Sequence, residues 1–258
     1  MTGQVKLAID GPLATVTLSH PGKLNAMSRV MWHELRAVFV TLQQHSALRC
    51  VLLRGEGGQF CAGGDISEYA QFRFEESTLR DFHEGDVWGG LQAVLACDLP
   101  IVAQIEGACM GAGLEIASCC DLRLAAASAR FGAPIAKLGF PMAPREMALV
   151  RAAAGELSTR EMLLAASVLD APTLAQRGFL NRVWPDAELA GEAAALAGRV
   201  CALAPQAARQ NKQSLRALAL AGWAQAATDL IAGAYTYAAS AEHREGVSAF
   251  VEKRSPHF

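Results

Sequence analysis

Charge is scarce in this sequence. Lys, Arg, Asp and Glu make up 19% of the 258 residues and nearly cancel, leaving a formal charge of −2. With no basic stripe or acidic run, neither nucleic acid nor an anionic membrane surface is expected as the main partner. No stretch reaches the roughly 18 consecutive apolar residues that a membrane span needs. The start, MTGQVKLAID, shows neither the apolar core of a signal peptide nor an Arg- and Ser-rich amphipathic leader. The seven cysteines include no C-x-x-C pair, and adjacent Cys119 and Cys120 suit neither an ordinary disulfide nor zinc. Reduced, buried thiols in a cytoplasmic protein are the expectation, with no metal site. A phosphate loop of the form G-x-x-x-x-G-K-[ST] is missing as well. The run Gly107-Ala108-Cys109-Met110-Gly111-Ala112-Gly113 does not have the G-x-G-x-x-G spacing of a dinucleotide fingerprint.

Apolar residues, by contrast, are plentiful at 52%, enough to fill a large core in one large domain or a domain with an appendage. Residues 5–18 alternate apolar and polar around Asp10-Gly11-Pro12, which predicts a β-hairpin. Ser28 is placed to cap a helix carrying Met31, Leu35, Val38, Phe39 and Leu42 at helical spacing. Cys50–Leu53 reads as a short buried strand, a helix is expected within 78–96, and 101–107 reads as another buried strand. GACMGAGLEIASCC leads small residues into a helix, and DLRLAAA returns as a strand. This rotation predicts an α/β protein with parallel or mixed sheets and outer helices. After about residue 185 the pattern becomes Ala-rich and helical, with helices expected over 187–203, 206–220, 222–241 and 243–252. That tail carries more apolar surface than a small bundle buries alone, so it is expected to pack against another subunit.

Two glycine-rich turns follow buried strands. One is Phe60-Cys61-Ala62-Gly63-Gly64-Asp65-Ile66, and the other runs from Gly107 to Glu115. Small residues let a backbone turn sharply or approach a ligand closely. One backbone N–H from each turn would make an oxyanion hole for a carbonyl that gains negative charge. Taken singly, such turns are ordinary strand-to-helix connections, and Glu115 is an acid in the first turn of a helix, stabilising there in any case.

Taken together, the motifs resemble a known family. Pro21-Gly22-Lys23-Leu24-Asn25-Ala26-Met27, then FCAGGDI, then Gly107 to Glu115, then Glu245-Gly246-Val247-Ser248-Ala249-Phe250-Val251-Glu252-Lys253-Arg254 resemble landmarks of the crotonase (enoyl-CoA hydratase/isomerase) superfamily, in family order and spacing. The resemblance implies a crotonase (ClpP-like) spiral of ββα units over 1–185 holding the acyl-CoA site. A C-terminal helical trimerisation region would follow over 186–258, giving a homotrimer or a dimer of trimers. It implies that an acyl-CoA or enoyl-CoA thioester carbonyl lies between the backbone N–H groups of Gly64 and Ala112. Ala62, Asp65 and Ile66 would run along the CoA moiety, with Lys23 and Lys253 as candidate phosphate contacts. Glu115 would be the acid/base, and no cofactor is implied beyond the CoA of the substrate.

The sequence also departs from the family pattern. Where a two-glutamate hydratase carries its second acid after Phe-Gly-x-Pro, Phe131-Gly132-Ala133-Pro134 is followed by Ile135, which can neither give nor take a proton. The family's next glycine-rich turn is replaced by Pro141-Met142-Ala143-Pro144-Arg145-Glu146. Arg145 and Glu146 are read as the start of a surface helix, with delivery to the pocket as the alternative. Asp81 to Trp88 is read as an ordinary amphipathic helix start, although it could supply an extra catalytic side chain. Asp121 is expected to pair with nearby backbone or with Arg123. The expected activity is enoyl-CoA hydratase/isomerase chemistry through a thioester enolate with one glutamate acid/base. The alternatives are another crotonase reaction, such as decarboxylation or thioester hydrolysis, and a catalytically degenerate CoA-binding homolog.

Overall fold

The computed structural model describes residues 2–220 and 236–254. The hairpin forms as expected: β1 (Gln4–Asp10) pairs antiparallel with β2 (Leu13–Ser19) in a register that turns at Asp10↔Leu13. β2 then pairs in parallel with β3 (Cys50–Gly55), β3 with β4 (Ile101–Ile105), β4 with β6 (Leu122–Ala126), and β6 with β9 (Arg182–Trp184). Parallel neighbours need crossovers, and helices supply them. The crossover helix α1 (Arg29–Gln44) is capped by Ser28, whose Oγ accepts from Met31 N at 3.3 Å, and buries Met31, Trp32, Leu35, Phe39 and Leu42.

A second, smaller sheet stands beside the first. It holds β5 (Ala108–Met110), β7 (Arg130–Gly132) and β8 (Val168–Asp170), extended by single bridges from Cys61 to Cys109 and from Met27 to Gly64. The two glycine-rich turns of the sequence are therefore hydrogen-bonded neighbours.

Between β3 and β4 the chain makes a 3₁₀ turn (Ile66–Gln71) and then α2 (Glu76–Arg80), a π-helical segment (Asp81–Val87) and α3 (Trp88–Ala96). The ordinary helix expected from residue 81 is corrected here. Wide π turns recur at functional sites, and this one buries Phe82, His83, Asp86 and Val87. The short helix α4 (Ala112–Ser118) follows β5, and a 3₁₀ turn (Ile135–Leu138) leads from β7 towards α5 (Pro144–Leu164), which breaks at Gly155. α6 (Ala171–Gln176) joins β8 to β9.

Past residue 185 the described chain is helical: α7 (Asp186–Cys201), α8 (Pro205–Leu220) and α9 (Ala241–Val251). The core continues into this region, because α7 buries Leu189, Ala193, Ala197 and Val200 and packs on β3, β4, β6 and β9. The helix expected over 222–241 falls, up to residue 235, outside the described residues. α8 docks through Lys212, whose Nζ donates to Leu99 O at 2.8 Å and pairs with Asp121 at 2.7 Å. Asp121 also accepts from Ile101 N, so its expected backbone partner is present and its cation is Lys212 rather than Arg123. All seven cysteines are free and buried, as their apolar context suggested. Among the described residues no helix is long and apolar enough to cross a membrane.

Candidate active site

The two glycine turns interlock before any side chain is added. Cys61 N donates to Ala108 O at 2.8 Å, and Met110 N donates to Cys61 O at 2.9 Å. Gly111, which opens α4, has φ 47°, a left-handed conformation that glycine adopts at little cost. A Cβ there would stand 3.7 Å from the Cα of Gly63, so the turns lie nearly backbone to backbone. A Cβ on Gly113 would press into the Cys61 carbonyl. At this junction the N–H groups of Gly64 and Ala112 have no acceptor among the described residues. In Ala112 this follows from its place as first residue of a helix, where N–H groups have no intrahelical partner.

Both residues line a cavity of about 310 Å³, together with Ala62, Ile66, Glu115 and Ile135. Most of the remaining wall is apolar or aromatic, with Trp32, Phe82, Val87, Phe140 and Met142 prominent. Of the candidate residues, Asp65, Lys23 and Lys253 stand outside this wall. Asp65 is buried and accepts from Lys23 Nζ at 2.6 Å and from Ser67 Oγ at 2.7 Å. Burial opposes its charge, but the hydrogen bonds from Lys23 and Ser67 outweigh that and hold its carboxyl below the usual value. Lys253 is exposed just after α9, in left-handed backbone with φ 55°.

Glu146 is the main correction to the sequence reading. Rather than starting a surface helix, it is 2% exposed and lines the cavity from the first turn of α5. Ala143 in extended backbone and Pro144 at the helix start fix that turn, and α5 packs on α4, which carries Glu115. Arg145 points elsewhere: it pairs with Glu84 at 3.1 Å and lies over the Trp88 ring.

His83, from the π segment, joins the wall next to Glu146. Its Nδ1 is 3.0 Å from Glu146 Oε1, and its Nε2 is 3.1 Å from Arg73 Nη2. A guanidinium only donates, so Nε2 must accept, and the ring is neutral with its proton on Nδ1. Burial, and then the Arg73 charge, hold the imidazole well below its ordinary value, against the pull of Glu84. The His83–Glu146 contact is therefore a neutral donor on a carboxyl rather than an ion pair. Arg73 is itself buried, its guanidinium 4.2 Å from the Tyr69 ring centroid and 4.0 Å from that of Phe140.

The electrostatics favour protonated carboxyls. Burial, and then the neighbouring Glu146, raise Glu115 well above the carboxylate range, with Arg73 pulling the other way. Burial and then Glu84 push Glu146 up to about 8, against Arg73 and Arg145. An acid such as Glu146 that holds its proton near neutrality can exchange it with a ligand at little cost.

Sequence reasoning passed over Arg73, and it gave His83 and Glu146 plain structural readings. The available signals were faint: an arginine set among Tyr69, Phe72 and Phe74, and an acid just after Pro144 in a stretch that departs from the family pattern.

A family model described as "Enoyl-CoA hydratase/isomerase" matches residues 9–258. Among curated proteins, 2,3-dehydroadipyl-CoA hydratase of Escherichia coli is 32% identical, covering 94% of this chain and 93% of its own length. Among solved structures, an enoyl-CoA hydratase/carnithine racemase from Magnetospirillum magneticum superimposes with TM-score 0.82 at 35% identity, covering 100% of this chain and 96% of that one. Methylmalonyl-CoA decarboxylase in complex with 2-nitronate-propionyl-CoA reaches TM-score 0.87 at 26% identity, covering 99% and 98%. The chain belongs to the enoyl-CoA hydratase/isomerase family, in the crotonase superfamily of enzymes. Hydratase and decarboxylase names both occur among its relatives, so membership leaves the reaction open.

Proposed function

We propose that this protein acts on acyl-CoA or enoyl-CoA thioesters by hydratase/isomerase-type chemistry, with the thioester passing through an enolate. The carrying observation is one mostly apolar cavity that holds two unengaged backbone N–H groups, Gly64 and Ala112, and the carboxyl of Glu115. The N–H pair would receive the thioester oxygen as it gains negative charge, and each such donor is typically worth about 3–4 kcal/mol of barrier. Glu115 would move the proton. Ala62 and Ile66 on the wall, with Asp65 held behind them by Lys23, would border the pantetheine and nucleotide. Lys23 and Lys253 would supply positive charge for the CoA phosphates. The reading needs no cofactor beyond the CoA of the substrate, and it places the protein in the cytoplasm.

A trimer or a dimer of trimers completes the proposal. Leu157, Leu164 and Leu215 stand 75%, 78% and 68% exposed in the single chain, apolar surface that an assembly would cover. Light scattering at micromolar concentration is expected to give a trimer or hexamer, and a stable 27.3 kDa monomer counts against it.

The function itself is tested with a panel of acyl- and enoyl-CoAs, followed by thioester ultraviolet absorbance and mass spectrometry. Hydration or double-bond migration is the expected result. Turnover confined to loss of carbon dioxide or to thioester hydrolysis would replace the reading with another crotonase reaction, and binding without turnover would leave a degenerate CoA-binding homolog.

A further inference from the structure

We propose that Glu146, oriented by His83, is a second acid/base of this site and works as a pair with Glu115, from a different element than the one where Ile135 stands. The inference rests on the functional reading above and deepens it. Its observations are geometric. Glu146 is nearly inaccessible to bulk solvent yet lines the cavity, and α5, which carries it, packs on α4, which carries Glu115. One carboxyl oxygen, Oε1, is fixed by His83 Nδ1 at 3.0 Å. The other, Oε2, is buried and has no hydrogen-bond partner. An unsatisfied buried carboxyl oxygen costs stability, and a ligand proton or a water in the cavity would satisfy it.

A structural role for Glu146 as counter-charge to Arg73 explains less. Arg73 Nη2 is engaged by His83 Nε2, which leaves the neutral imidazole between the cation and the carboxyl. The arrangement resembles a positioning chain, in which Arg73 fixes the tautomer of His83 and His83 fixes the rotamer of Glu146. In this scheme His83 is a positioning residue and Glu146 the catalytic one.

The pair closes the proton count of hydration without an outside acid. The active form of the pair, reached as Glu146 ionises near 8, holds one proton. As the oxygen of a water bonds to C3 of the enoyl thioester, that water's proton passes to the ionised carboxyl. The C2=C3 π electrons move onto the thioester oxygen at the Gly64 and Ala112 N–H groups. The enolate then collapses and takes its C2 proton from the protonated carboxyl, so the pair again holds one proton. The reverse order gives dehydration. The charged and titratable groups around Glu146 are His83 at 3.0 Å and Glu84 on the π segment, Glu115 on α4, Arg73, and Arg145 on α5, whose charge acts on Glu146 although its side chain turns to Glu84. Lys137 lines the same cavity, and His243 on α9 lies near Arg73 and His83.

The test measures crotonyl-CoA hydration and deuterium incorporation at C2 in the wild type, Glu146→Gln, Glu146→Asp and Glu115→Gln. Thermal unfolding and calorimetric affinity for acetyl-CoA accompany each variant. Glu146→Gln is expected to lose at least about a hundredfold in kcat with affinity unchanged, and Glu146→Asp to recover part of it. The wild-type pH–rate profile should carry a limb near 8 that Glu146→Gln lacks. Should either variant fail to fold, the wild-type profile stands as the test, and absence of that limb overturns the proposal. An active wild type whose kcat and profile survive Glu146→Gln also overturns it and leaves Glu115 alone in the role. A wild type that turns over no thioester overturns the functional reading instead, and the proposal falls with it.

Discussion

His83 Nδ1 donates to Glu146 Oε1 across 3.0 Å, tying the π segment before α3 to the first turn of α5. Residues 63 positions apart in sequence thus set one side chain at the cavity. Ile135, on the 3₁₀ turn after β7, faces the same space with an alkyl group. The chemistry left out at one position of the wall is available at another.

Glu115→Gln is expected to lower turnover on the preferred thioester by at least about a hundredfold while ligand affinity stays nearly constant. The amide keeps the shape and the hydrogen-bonding reach of the acid, so a structural role would survive the change. Steady-state kinetics beside calorimetry separate the two, and unchanged kcat would move the chemistry away from Glu115.

Ile135→Glu adds a third carboxyl to a cavity that already holds Glu115 and Glu146. In the wild-type background it is expected to destabilise the fold by about 1–3 kcal/mol, as an unpaired polar group in a half-buried site, with no gain in rate. Combined with Glu146→Gln, the same substitution is expected to recover at least about tenfold in enoyl-CoA hydration over Glu146→Gln alone, because a second acid/base is again present. Denaturant unfolding and kinetics on the two backgrounds measure both effects. A rate gain in the single variant would argue that Glu146 does not occupy this role.

Gly113→Ala tests the seat of the proposed oxyanion hole. The new methyl would press on the Cys61 carbonyl, a backbone atom that cannot rotate away. Overpacking of this kind costs about 1–3 kcal/mol, and relief by separating the turns would also move the Ala112 N–H. A lowered melting temperature together with a fall in kcat is expected. A variant with wild-type values for both would show that the turns tolerate more slack than their hydrogen bonds suggest.

Stability should fall as pH rises from 6.5 to 8. Glu146 keeps its proton in the folded chain up to about 8, whereas an ordinary glutamate releases it near 4.5. Between those values the unfolded state binds fewer protons than the folded state, so unfolding becomes easier with rising pH. Glu115, also raised, acts in the same direction. Burial holds His83 and His243 low, His243 at about 4, which gives an opposite slope that fades as pH rises through 6.5 and the unfolded imidazoles lose their protons. Buried thiols such as Cys61 enter above 9. Calorimetric melting across pH 6.5 to 8 reads the carboxyls, and Glu146→Gln should flatten the decline. A melting temperature that rises over this range would contradict the assignment.

What was legible in the sequence was local. The β1–β2 hairpin, α1 with its Ser28 cap, β3, β4 and the two glycine turns follow from short-range alternation, helical spacing and small residues, all within a few positions. β7 and β8 are three residues each, too short to show a period, and exist through partner strands. α5 was visible only at its start, and Gly155 interrupts its pattern. The placement of Glu146 depends on how α5 packs against α4, and that of His83 on a π turn, so neither can be read from neighbouring residues. Arg73 is the extreme case: a charge buried among aromatic rings looks in sequence like a solvated residue on a loop.

The π segment has one more consequence. A π turn closes its ring of hydrogen bonds one residue later than an α turn does. Removing a single residue from 81–87 would therefore let the stretch relax to ordinary helix while α2 and α3 kept their ends. A different side chain would then inherit the place of His83, and Glu146 would lose its anchor with the sheets untouched. The segment would then act as an indexing wheel: a length change of one residue would exchange the group that anchors Glu146. Diversification of chemistry among close relatives should therefore track insertions and deletions in this stretch more closely than substitutions in the strands.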